Sequence, residues 1–173
     1  MTRPCRRPAA CKSIHSLVEF SLYLVDNASP DGTGHKLEQT QWGPGIQVLC
    51  LPHNVGFGAG HNAVLSRLDS VYHAVVNPDI TLDEDAIGKL CAFLDAHPDV
   101  VMATPQLLFP NGTPQYTAKR APGFLSLLAR QVPLKCLKKT EEHYLMLDED
   151  LTVAREIDFC TGCFFVIRPE VFR

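Results

Sequence analysis

Three polar clusters in this chain join carboxylates, carboxamides and glycines at the ends of apolar runs: Asp26-Asn27-Ala28-Ser29, Asn54 to Asn62, and Asn77-Pro78-Asp79. A carboxylate just past a strand can hold Mg²⁺ or Mn²⁺ through one or two oxygens while a diphosphate supplies others, and Asp79 stands in such a place. Glycines that open a helix let a ligand approach backbone N–H groups at the positive end of the dipole, which suits Gly56-Phe57-Gly58-Ala59-Gly60. That run lacks the third glycine of the dinucleotide pattern, and no Walker lysine follows it. Each cluster also has a plainer reading. Asp26 and Asn27 suit a turn before Ser29-Pro30-Asp31-Gly32, the glycines suit a tight turn with close helix packing, and Asp79 suits an Asx turn or helix cap.

The surrounding pattern supplies the elements that must position these groups. Phe20 to Val25 reads as a strand stopped by turn residues, residues 35–41 as a helix, and Ile46 to Leu51 as a second strand. From Phe57, Val64, Leu65 and Leu68 repeat on one helical face. Val71 to Val76 predicts a third strand ended by Pro78, which cannot donate to a sheet ladder. Asp83, Glu84 and Asp85 give an acidic first turn to a helix carrying Ile87, Leu90, Cys91 and Leu94, closed by His97-Pro98. Val100 to Ala103 and Cys163 to Ile167 predict further strands, and Pro110-Asn111-Gly112-Thr113 a hairpin turn. Strands alternating with helices imply βαβ units, and ligands bind outside the carboxyl ends of parallel strands, so the three clusters are expected along one edge.

Composition is that of a globular domain: 173 residues, 46% hydrophobic and 20% charged. Sixteen basic against nineteen acidic residues give a net charge of -3, which argues against a general affinity for nucleic acid. No apolar run is long enough to span a membrane, and the basic, proline-interrupted N-terminus lacks a signal-peptide core. The seven cysteines, with Cys50, Cys91 and Cys136 in apolar runs, fit a reduced, cytoplasmic setting.

The three clusters, together with Asp158-Phe159-Cys160-Thr161-Gly162-Cys163, occur in the order and spacing of family 2 glycosyltransferases, and the chain resembles their rhamnosyltransferase-like branch over about residues 20–172. The resemblance implies a GT-A fold: α/β, three layers with a mainly parallel central sheet. It also implies inverting transfer from a nucleotide-diphosphate sugar, a dTDP- or UDP-sugar, to a hydroxyl of a glycan or lipid-linked acceptor in cell-surface polysaccharide synthesis. On that likeness Asp26, with Asn27 and Ser29, lies near the nucleotide base, and Asn54, Gly56, Phe57, Gly58 and Asn62 line the donor. Asn77-Pro78-Asp79 stands where the family has Asp-x-Asp, so Asp79 is the expected ligand of Mg²⁺ or Mn²⁺ and Asn77 a sugar- or ribose-side contact. Thr161, Gly162 and Cys163 match the acceptor side, although a smaller residue usually follows the glycine.

Two departures follow from the same likeness. Residues 1–19 replace the apolar first strand expected there, and the general base is expected beyond Arg173, so residues 20–173 read as a partial GT-A domain. The alternative is a non-catalytic donor-binding or interaction module of the same fold. A zinc or redox site on Cys160 and Cys163 lacks a second ligand pair, and the histidines show no metal-ligand spacing, His61 meeting the donor only through its neighbours. Residues 119–139 carry six basic side chains, no acid and interleaved leucines. They suit a solvated face or, more sharply, peripheral contact with a membrane at its inner, cytoplasmic side.

Overall fold

The structure, a computed structural model, describes residues 19–82, 85–123 and 138–172. They form two compact units: Met1–Ala103 with Phe165–Arg173, and Thr104–Phe164 between them in sequence.

The first unit opens with β1 (Leu22–Asp26), α1 (Thr33–Gln39) and β2 (Ile46–Cys50). β1 and β2 pair in parallel from Leu22 opposite Ile46 to Asp26 opposite Cys50, so their carboxyl ends are level. Gly32, at φ +77°, starts α1 from the left-handed region that a side chain disfavours. The helix buries Leu37, and the Trp42 indole N–H donates to the Leu37 carbonyl at 2.8 Å.

α2 (Phe57–Asn62) is shorter than the apolar period from Phe57 to Leu68 predicts; it gives way to a 3₁₀ turn over Leu65–Arg67. Two glycines and an asparagine within six residues are weak helix formers, whereas the tighter turn still keeps Val64 buried. β3 (His73–Val76) starts two residues later than predicted, leaving Val71 68% exposed. α3 (Ala86–Ala96) has Asp85 as N-cap, its carboxylate accepting from the Gly88 N–H at 3.0 Å. The predicted acidic turn thus resolves, at Asp85, into a cap; Asp83 and Glu84 lie outside the described residues.

β4 (Met102–Ala103) and β7 (Phe164–Ile167) pair antiparallel, and β7 lies between β3 and β4. In this unit Leu94 and Val166 are fully buried. Arg168 fastens this end of the unit. Its guanidinium donates to the Leu94 carbonyl at 2.7 Å and the Val100 carbonyl at 3.1 Å, satisfying the end of α3 and the turn after it. Pro169–Phe172 follows as a 3₁₀ turn.

In the second unit β5 (Ala118–Lys119) pairs antiparallel with β6 (Phe159–Cys160), and α4 (Lys138–Tyr144) contributes the buried Tyr144. The predicted hairpin is present: Leu108 bridges Pro114, and Gly112 takes φ +81° at the turn. Arg120 pairs with Asp148 at 2.7 Å and Glu149 at 2.6 Å.

The architecture is α/β, but among the described residues the strands belong to three small sheets: β1 pairs with β2 in parallel, and β4 with β7 and β5 with β6 antiparallel. The chain enters β7 after a long excursion and runs back against β4, and the described strands do not show the mainly parallel central sheet expected from the sequence. Among the described residues no helix is long and apolar enough to cross a membrane.

Candidate functional site

The level ends of β1 and β2 release two loops side by side, and the site is built where they meet. Asp26 closes β1 and is only 6% exposed. A buried carboxylate needs donors, and the Ser29 N–H supplies one to its Oδ2 at 3.1 Å. Gly34 of α1 lies against it so closely that a Cβ would stand 2.6 Å from Oδ2. Asp26 therefore holds the turn that presents Asn27 and Ser29, and Ala28 follows with φ +57°, a strained conformation for a residue with a side chain.

Asn27 reaches across to the second loop. Its Nδ2 donates to Asn54 Oδ1 at 3.2 Å and to the Gly56 carbonyl at 3.0 Å, while its Oδ1 accepts from the Val55 N–H at 2.9 Å. Asn54 Oδ1 also accepts from the Gly56 N–H at 2.9 Å. The two carboxamides thus fix the loop into α2, and Gly60 makes room, since a Cβ there would come within 3.3 Å of Asn27 Nδ2. The N–H groups of Val55 and Gly56 are consumed in this bracing. The glycines of this loop serve first as shape, and the six residues of α2 are too few for a strong dipole.

Phe57 projects from the start of α2, 57% exposed, with its ring edge-on to His61 at 4.5 Å between centroids. Phe57, Gly58, His61 and Asn62 line a cavity of about 130 Å³ with His73 and Val75 of β3 and Phe165 of β7. Burial holds the His61 imidazole below its ordinary 6.5. Burial, and then the His61 charge, do the same to His73. Both rings are thereby kept neutral near pH 7. His73 had no signal in the sequence, because nothing in a β-strand pattern says that its alternate face meets another helix.

Asn77 and Asp79 follow β3, which belongs to a different sheet from β1 and β2. The backbone turns there, the Ile80 N–H donating to the Asn77 carbonyl at 3.2 Å. Asp79 is exposed, and among the described residues nothing bonds to its carboxylate or links it to the Asn27 cluster. Hydrogen bonds join the first two clusters, and the second shares a cavity with β3, whose end carries the third. Among the described residues no group of three acids, histidines or cysteines is placed to hold a metal alone. A magnesium- or manganese-diphosphate complex asks less of a protein, one or two carboxylate oxygens, and the open Asp79 carboxylate fits that demand.

Thr161, Gly162 and Cys163 lie in the second unit, between β6 and β7. The Thr161 N–H donates to the Thr117 carbonyl at 3.1 Å, while its buried Oγ1 has no partner. Cys160 and Cys163 are free thiols, and burial pushes the Cys160 thiol up, against a reactive thiolate.

A family profile described as Glycosyl transferase family 2 matches residues 7–173. The chain belongs to that family. Family 2 membership implies a GT-A α/β fold, glycosyl transfer, and the binding of a nucleotide-sugar donor and an acceptor. Searches of curated proteins and of solved structures gave no match.

Proposed function

We propose that this family 2 chain binds a dTDP- or UDP-sugar at the edge where β1 and β2 end. On this reading it serves inverting transfer to a hydroxyl of a glycan or lipid-linked acceptor, in the rhamnosyltransferase-like manner of cell-surface polysaccharide synthesis. The carrying observation is the bracing of one loop by the other through Asn27 and Asn54, which holds Gly56, Phe57 and Gly58 in a fixed, exposed shape. Preformed loops bind without first losing their own disorder.

In this reading Asp26, Asn27 and Ser29 position the nucleotide base, Asn54 to Asn62 border the donor, and Asn77 contacts the ribose or sugar. Asp79 would hold Mg²⁺ or Mn²⁺, which when bound offsets charge on the departing diphosphate. Thr161, Gly162 and Cys163 face the acceptor. The protein works in the cytoplasm at the inner face of the plasma membrane, aided by the basic stretch from Lys119 to Lys139.

Titration calorimetry of the folded chain with UDP and dTDP, with and without Mn²⁺, tests the reading. Metal-dependent binding that Asp79→Asn abolishes is expected; a folded sample that binds neither nucleotide with Mn²⁺ overturns it.

A further inference from the structure

The loop from Thr104 to Ala118 holds no aspartate, glutamate, lysine, arginine or histidine. It nevertheless sets large apolar side chains in solvent: Leu108 is 55% exposed, Phe109 51% and Tyr116 52%. A charge-free surface segment that shows such residues together is a mark of an interaction site.

Most of its N–H groups are bonded within it. The Phe109 N–H donates to the Thr113 carbonyl, the Gly112 N–H to the Phe109 carbonyl and the Gln115 N–H to the Leu107 carbonyl, each at 2.8 Å. Asn111 Oδ1 accepts from the Thr113 N–H at 3.1 Å and its hydroxyl at 2.7 Å. Gln106 Nε2 donates to the Leu107 carbonyl at 2.9 Å and the Gln115 carbonyl at 2.7 Å, and Gln115 Nε2 to the Leu108 carbonyl at 3.0 Å. Pro110 and Pro114 have no N–H to satisfy. From Phe109 to Gln115 every N–H except that of Asn111 is bonded within the hairpin or absent, whereas the Pro110, Asn111, Gly112 and Pro114 carbonyls accept nothing within it.

The paired N–H groups lower the cost of bringing the hairpin to a bilayer's interface, where its open carbonyls stay with water and headgroups while Leu108 and Phe109 gain apolar contact. Charge points to the kind of bilayer. The chain passes directly into residues 119–139, with six basic side chains and no acid. Arg120 is already neutralised by Asp148 and Glu149, and Lys138 reaches Glu142 at 3.6 Å, so attraction alone is blunted and an apolar anchor is needed beside it.

We propose that the Leu107 to Gln115 hairpin is a membrane-docking element that seats Leu108 and Phe109 in the interface of an anionic bilayer, with Tyr116 at headgroup level. The proposal rests on the membrane-side reading above for the class of partner and on the hairpin for the residues.

Flotation of the intact chain with vesicles of equal parts phosphatidylcholine and phosphatidylglycerol tests it. The parent should float, and the Leu108→Asn, Phe109→Asn double variant should lose about tenfold or more in bound fraction. Both positions are exposed, so circular dichroism and UDP or dTDP binding should be unchanged, and Phe109→Leu should still float. A parent chain left at the bottom of the gradient overturns the proposal, as does a double variant that floats like the parent. Donor binding retained in either case leaves the proposed function standing, whereas flotation without donor binding removes the function and leaves the hairpin.

Discussion

Asn27 donates to Asn54 at 3.2 Å across 27 residues of sequence, and through this bond the loop after one strand holds the loop after the next. Asn27→Ala removes the three bonds its carboxamide makes to Asn54, Gly56 and Val55. The expected cost is about 1–3 kcal/mol of stability, read from the urea midpoint. Donor affinity should also fall about tenfold by calorimetry, because the loop then has to be ordered on binding. Unchanged affinity would separate the bracing from the site.

Gly34 and Gly43 give a contrast in steric cost. A Cβ at Gly34 would meet Asp26 Oδ2 at 2.6 Å, whereas at Gly43 nothing lies within 4 Å. Gly34→Ala should destabilise by about 1–3 kcal/mol, displacing the carboxylate that fixes the Ser29 turn. Gly43→Ala should be close to neutral. Thermal melts of the two variants check the difference.

His61 and His73 should make stability depend on pH. Both are held below 6.5 in the folded chain, chiefly by burial. As pH falls through about 6.5, the unfolded chain takes up protons that the folded chain refuses. Their neutral burial is thus fully tolerated above about 6.5 and becomes destabilising below it. Urea midpoints should drop between about pH 7.5 and pH 5.5, and the drop should shrink in His73→Gln.

Asp148 should show the opposite kind of window. Hydrogen bonds from Arg120, then from His143, hold its carboxyl at about 2 against an ordinary 3.8. Its contribution is present above 3.8 and is lost as pH falls through about 2. The carboxylate is exposed, so the effect on stability should be small and weakened by salt. A titration followed by NMR checks it: Arg120→Gln should return Asp148 toward 3.8.

Local chemistry was legible in the sequence where one residue type decides the backbone. The turn after Asp26, the Asn111-Gly112 hairpin and the end of β3 before Pro78 were all read from residues that impose or forbid a conformation. Strand direction was not legible. Nothing in Phe164–Ile167 distinguishes a strand that runs parallel to its neighbour from one that returns against β4, because the pattern of apolar residues is the same either way. The Asn27 to Asn54 bridge was hidden for a related reason: each residue alone suits a turn, and only the level ends of β1 and β2 bring them together. His61 and His73 needed the packing of α2 against β3.

The Thr104 hydroxyl donates to the Phe164 carbonyl at 2.7 Å, and these are the first and last residues of the second unit. Pairing β4 with β7 would otherwise require closing a long random loop, whose entropic cost rises with the logarithm of its length. Once the intervening unit has folded with its two ends clasped, that search is already over. The chain behaves there as though β4 and β7 were joined by a short tether, so their pairing depends on the order in which the pieces assemble.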